Sequence, residues 1–220
     1  MHRSEGAAEA ENPQMNTEET LEQHFPTPVL LRSHTGIDEL TNGLLQVMET
    51  ASQSEANAAS SAGNTTQGGY QSADGERFLD RDDAAIRTLK GQIIWPAVES
   101  YLSQVLHCDP TFTPVSIFSW AVSLGAGDWQ APHFHPKEYN IISGVYYVWV
   151  PDAPEPEGCL EFINPNLNAV SIGNQPSRHL HQPRTGQVIL FPPYYMHFVH
   201  PQKVDAKRHV IAFDVRLTPQ

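Results

Sequence analysis

Cysteine, basic charge and long apolar runs are all scarce in this sequence. Only two cysteines, Cys108 and Cys159, occur in 220 residues, too few for a disulfide framework and without the close pairing of a zinc knuckle, so reduced thiols are expected. Thirteen Lys and Arg stand against 25 Asp and Glu, a formal charge of −12. That balance disfavours nucleic acid or anionic lipid as a partner over any broad surface. No stretch approaches the ~18 apolar residues of a membrane span. The first residues are acidic where a secretory leader would be basic and then apolar. The expectation is a cytoplasmic protein with neither a membrane nor a nucleic-acid partner, and its oligomeric state is left open.

Composition changes along the chain in three steps. Residues 1–25 are polar and acidic, nearly free of large apolar groups before Phe25, as in a disordered tail. Residues 26–112 read as a helical N-terminal part that forms one domain with the remainder of the chain. Within it Ile37, Leu40, Leu44, Val47 and Met48 recur at helical spacing, with Gly43 weakening the pattern. A polar loop is expected at about 51–69. A second helical pattern follows Asp82 and Asp83, either of which suits an N-cap, and runs through Ile86, Leu89, Ile93, Val98, Tyr101, Leu102 and Val105. Pro96 should kink or split it. From residue 113 to the end the period drops to two, with strands expected at about 113–124, 142–150, 159–163, 187–191, 196–199 and 208–217. The fold class expected is mainly β, a sandwich or jelly roll with two preceding helices packed against it.

Chemistry concentrates in His133-Phe134-His135. In extended chain, residues two apart point to one face and can chelate one ion. An HxH pair alone is weak among 11 histidines, but the sequel is specific. A strand entered from Gly186 leads to His197, 62 residues beyond His135, and Arg208 follows 11 residues later. Such a gap suits ligands gathered across a jelly roll, as in the facial triads of mononuclear iron oxygenases. The planar fork of an arginine suits a dicarboxylate.

With these pieces in place, the chain resembles the Fe(II)/2-oxoglutarate oxygenases, in the branch that carries HxHP followed by SGxYY. The likeness covers about residues 115–217: Trp120-Ala121-Val122, His133-Phe134-His135-Pro136, Ser143-Gly144-Val145-Tyr146-Tyr147, Gly158-Cys159-Leu160-Glu161-Phe162, Gly186 to Pro192, and His197 to Pro201 with Arg208. The resemblance implies a double-stranded β-helix (jelly roll) over 113–220. It implies metal ligands His133, His135 and His197. Arg208 would grip the far carboxylate of 2-oxoglutarate, with Tyr147 in support. The implied cofactors are Fe(II), 2-oxoglutarate as cosubstrate and O2, and the implied activity is a dioxygenase, usually a hydroxylase, acting on a small molecule or a peptide.

One departure keeps a second reading open. The wider family has an acid where this chain has His135, and three-histidine iron centres occur in cupin dioxygenases that use no 2-oxoglutarate. Glu138 is the nearby acid, but three residues along an extended chain it points to the opposite face. His179 and His181 repeat the HxH spacing between Pro176 and Pro183 and read as a loop or substrate-facing rim. His209 alternates to the face opposite Arg208, where it packs or meets solvent. Of Tyr146 and Tyr147 only one can face an interior pocket. Arg208 facing solvent would favour the cupin-like reading.

Overall fold

A computed structural model of the chain describes residues 26–54, 65–73, 77–135, 138–166 and 176–218. The acidic segment 1–25 and the centre of the polar stretch at 55–64 lie outside these residues.

Helix α1 spans Asp38–Ser54 and buries Thr41, Leu44, Met48 and Ala51; of the expected stripe Leu44 and Met48 are buried, while Ile37, Leu40 and Val47 are half-buried. It therefore runs four residues into the segment expected as loop. Gly43 has a packing reason: a Cβ there would lie 2.9 Å from the Cβ of Ala85. The glycine lets α1 approach α2, Ala84–Leu89, closely. Asp83 occupies the N-cap position of α2 but its side chain makes no capping bond. A π-helical turn, Lys90–Ile94, joins α2 to α3, Trp95–Gln104. Pro96 accounts for the wide turn, because its ring crowds the carbonyl four residues back and it offers no N–H.

The rest is two antiparallel sheets. Strand β1 is Leu30–Ser33, β2 Thr66–Gln67, β3 Tyr70–Gln71, β4 Val115–Leu124, β5 Trp129–His133 and β6 Asn140–Trp149. They are followed by β7 Leu160–Ile163, β8 Arg178–His181, β9 Gln187–Phe191, β10 His197–Val199 and β11 Arg208–Leu217. One sheet has the order β1-β9-β6-β11-β4-β3 and the other β2-β5-β10-β7-β8. All six strands expected from the period-two pattern are present. Strands β1, β2, β3, β5 and β8 were not expected, and the histidines of β8 lie in a strand, not a loop.

Period two divides the larger sheet into two faces. Tyr146, Ile211, Phe213 and Val215 join Leu44, Met48, Leu89, Val98 and Leu102 in a core beneath the helices. Val122, Tyr147, Ile189 and Val210 turn the other way and meet Leu160, Phe162 and Val199 of the smaller sheet. The Ser143-Gly144-Val145-Tyr146-Tyr147 motif follows from this division. Gly144 lies opposite Phe213, and a Cβ at Gly144 would lie 2.4 Å from that ring. Gly144→Ala should thus cost about 1–3 kcal/mol by overpacking, read as a lower urea midpoint with unchanged m-value.

His209 also faces the helices and its Nδ1 is hydrogen-bonded to Ser123 Oγ at 2.8 Å. Burial, with Lys207 nearby, lowers its pKa to about 4. A lowered histidine pKa means that the unfolded chain takes up the proton first, so stability is full above about pH 6.5 and declines as pH falls toward 4. Urea titrations at pH 7 and 4.5 should show a decline smaller by on the order of 2 kcal/mol in His209→Gln than in the parent. Equal declines would contradict this.

Candidate metal centre

Strand pairing brings the first and last histidines together. His197 on β10 lies opposite His133 on β5, although 64 residues separate them. His135 sits just beyond the end of β5, held by its backbone N–H donating to Pro193 O at 2.8 Å. The candidate ligand atoms of His133, His135 and His197 all lie within 4.8 Å of one another. Ring centroids are 4.3 Å apart for His133 and His197, 5.2 Å for His133 and His135, and 5.3 Å for His135 and His197.

Each ring is oriented through its other nitrogen. Nδ1–H of His133 donates to Ala131 O at 2.7 Å and that of His197 to Tyr195 O at 2.8 Å. His135 differs, because its Nδ1–H donates to the Asp214 carboxylate at 2.8 Å. With Nδ1 protonated, Nε2 carries the lone pair that a metal needs. Nε2 of His135 is buried with no hydrogen-bond partner. Trp120 stacks on the same ring, with centroids 5.7 Å apart. Burial lowers the His133 pKa to about 4 and holds His197 well below the ordinary histidine value. Both are neutral near pH 7, as ligation requires.

Asp214, on the inner face of β11, went unnoticed in the sequence. The residue is 1 % exposed and its carboxylate also accepts from Ser143 Oγ at 2.8 Å. Burial pushes the carboxyl up, but hydrogen bonds from His135, Ser143 and Asn140 hold it below the usual range. Position was the available signal: Asp214 shares parity with Arg208 on the strand, and so shares its face. Glu138 is exposed and does not join the histidine group.

At the other end of β11 lies a second polar cluster in the same interior. Arg208 is 2 % exposed and Tyr147 fully buried, with the guanidinium carbon 5.2 Å from the centre of the tyrosine ring. Nε and Nη1 of Arg208 and the hydroxyl of Tyr147 have no hydrogen-bond partner. Tyr146 points to the helices instead. His181 on β8 completes the cluster, its ring 5.9 Å from Tyr147 and its Nε2 also without a partner. Burial pushes Tyr147 up to about 12 and lowers His181, with the Arg208 charge adding to the latter. Leaving such buried groups unpaired costs about 1–3 kcal/mol each, more for a charge. An anion would satisfy all three side chains.

Residues 118–214 match the family described as "Putative 2OG-Fe(II) oxygenase". Among solved structures, a prolyl-4-hydroxylase of Pseudomonas putida aligns at TM-score 0.58 and 14 % identity, over 87 % of this chain and 93 % of that one. A prolyl hydroxylase from Trichoplax adhaerens, in complex with a hypoxia inducible factor peptide fragment, gives TM-score 0.57 and 16 % identity, over 86 % of this chain and 83 % of that one. HygX from Streptomyces hygroscopicus, with nickel and 2-oxoglutarate bound, gives TM-score 0.56 and 11 % identity, over 87 % and 83 %. At these identities the likeness is one of fold. No curated protein matches the sequence.

Replacing His133 or His197 by alanine should abolish tight Fe(II) binding, by at least 100-fold in Kd, while leaving the far-ultraviolet circular dichroism of the metal-free protein unchanged. Parent-like iron binding by either variant would remove that residue from the ligand set.

Proposed function

We propose that this chain, whose core matches the 2OG-Fe(II) oxygenase family over residues 118–214, is an Fe(II)- and 2-oxoglutarate-dependent dioxygenase, and within that class a hydroxylase. Its two sheets, in which β9-β6-β11-β4 face β5-β10-β7-β8, are the eight strands of a double-stranded β-helix. His133, His135 and His197 are the metal ligands. Arg208 and Tyr147 hold the far carboxylate of the cosubstrate, and His181 adds a third polar contact there.

The observation that carries this reading is the buried, unpaired Arg208. A guanidinium removed from solvent with Nε and Nη1 unused is costly unless an anion is its partner. A dicarboxylate fits that requirement, since its one end can reach a metal while the other meets the fork. Ala212, between Arg208 and Asp214 on the inner face of β11, adds little bulk to the space. Three histidines with no fourth protein ligand among the described residues suit a redox metal with open positions better than structural zinc, which fills all four.

When bound, iron would supply O2 activation coupled to decarboxylation of 2-oxoglutarate to succinate and carbon dioxide. The chain's own part is positional. Backbone carbonyls fix two imidazoles, Asp214 and Trp120 fix the third, and the apolar walls of Val122, Leu160, Phe162 and Val210 exclude water from the reacting centre. Phe134 and Met196, each next in sequence to a ligand histidine, are exposed and mark the mouth through which a small molecule or a peptide side chain enters.

The cupin-like alternative draws support from one observation, that among the described residues no acid joins the grouped histidines. Adding 2-oxoglutarate to the Fe(II) protein without oxygen separates the two. The visible charge-transfer band of a chelated 2-oxo acid is expected, and its absence at saturating iron and 2-oxoglutarate would favour the alternative.

Arg208→Ala should weaken 2-oxoglutarate binding by about 2–5 kcal/mol and leave Fe(II) affinity within about threefold of the parent. Arg208→Lys keeps the charge without the fork and should fall between. Unchanged 2-oxoglutarate affinity in Arg208→Ala would show that the carboxylate is held elsewhere.

A further inference from the structure

Three imidazole ligands bring no negative charge to a divalent ion, and a protein interior makes uncompensated charge expensive. An acid ligand in place of His135 would have supplied one charge directly. Among the described residues no carboxylate joins the ligand group, yet one stands immediately behind one ligand. Asp214 Oδ1 accepts from His135 Nδ1 at 2.8 Å and from Ser143 Oγ at 2.8 Å. The other two ligand histidines donate to neutral backbone carbonyls.

We infer that Asp214 is a positioning residue that carries the missing negative charge of the metal site, one imidazole removed from the metal. The inference rests on the metal reading above and deepens it. The arrangement explains why His135 can stand where an acid would otherwise bind. An imidazole whose Nδ1–H is held by a carboxylate is a more basic donor at Nε2 than one held by an amide carbonyl. The pair of His135 and Asp214 thus presents the metal with a ligand of partial anionic character.

Local structure keeps the pair in register. Asp214 lies opposite Ser143 in the β11–β6 ladder, which places the serine hydroxyl on the carboxylate. Asn140 Nδ2 donates to His135 O at 3.0 Å and ties the ligand's backbone to the start of β6. Trp120, on β4, closes one face of the His135 ring. The carboxylate therefore has one orientation and the imidazole one tautomer.

The test is a two-by-two set of variants at positions 135 and 214, with Fe(II) affinity measured anaerobically by chelator competition. Asp214→Asn keeps size and a hydrogen-bond acceptor but removes the charge, and should weaken Fe(II) binding by about 10–100-fold. The Fe(III)/Fe(II) midpoint potential should rise in the same variant, because the oxidised ion loses more from the missing charge. In a His135→Asp background the acid is restored at the metal, and a second carboxylate beside it repels. There Asp214→Asn should leave affinity unchanged or improve it.

This dependence on residue 135 separates charge supply from a packing role, which would weaken both backgrounds alike. Equal losses in the two backgrounds, or no loss in the parent background, would overturn the inference. Thermal unfolding of the metal-free proteins accompanies each measurement. A parent that binds no Fe(II) would defeat the metal reading itself, whereas a parent that binds it and an Asp214→Asn variant that binds it equally would defeat the role of Asp214 alone.

Discussion

The Nδ1–H groups of His133, His135 and His197 are each committed to an oxygen of the protein, and the chemistry of the interior depends on that commitment. A free imidazole can rotate and exchange tautomers. One whose Nδ1–H is fixed presents Nε2 in one direction. Two of the acceptors are carbonyls two residues back in the chain, so the local backbone of β5 and of the approach to β10 sets the ring orientation. The arrangement of these imidazoles is thereby a property of strand register, because His133 and His197 face each other across one pair of hydrogen-bonded strands.

Strand β11 connects this centre to the rest of the molecule. Its outer face, with Ile211, Phe213 and Val215, packs beneath α1, α2 and α3. Its inner face carries Arg208 at one end and Asp214 toward the other. A shift of register by one residue would exchange those faces and expel both charged groups from the interior. Such a shift is opposed by the long pairings of β11 with β4 and β6 and by Phe213 lodged against Gly144. The apolar layer under the helices therefore fixes the positions of polar groups on the other side of the same sheet.

Much of this was legible in the sequence; strands β1, β2 and β3 are only two to four residues long, too short for a period to show, and the missed strands nearest the site have a different cause. Strands β4, β6, β9 and β11 bury apolar residues on alternate or both faces, so period two or a continuous apolar run reveals them. Strand β8, Arg178–His181, leaves His179 exposed and sets the half-buried His181 beside Leu160, a polar residue where a core strand would have an apolar one. It consequently read as a loop. Strand β5 is short, contains Pro132 and ends in the candidate ligand His133, and so has no alternation to detect. The same parity argument that separates Tyr147 from Tyr146 would have found Asp214, a lone acid on the face of Arg208. It was passed over because its neighbours make an apolar strand. Elements whose inward face serves a polar site look least like their secondary structure in sequence.

The central claim is that three histidines and a buried arginine share one interior for a metal and a dicarboxylate. Crystals grown without oxygen in the presence of Fe(II) and 2-oxoglutarate, with anomalous diffraction recorded at the iron edge, test it most directly. The account predicts a single iron peak roughly 2 Å from Nε2 of His133, His135 and His197, with density for a dicarboxylate running from the metal to Arg208. Iron bound elsewhere, or a fourth protein ligand closing the site with Arg208 left empty, would contradict it.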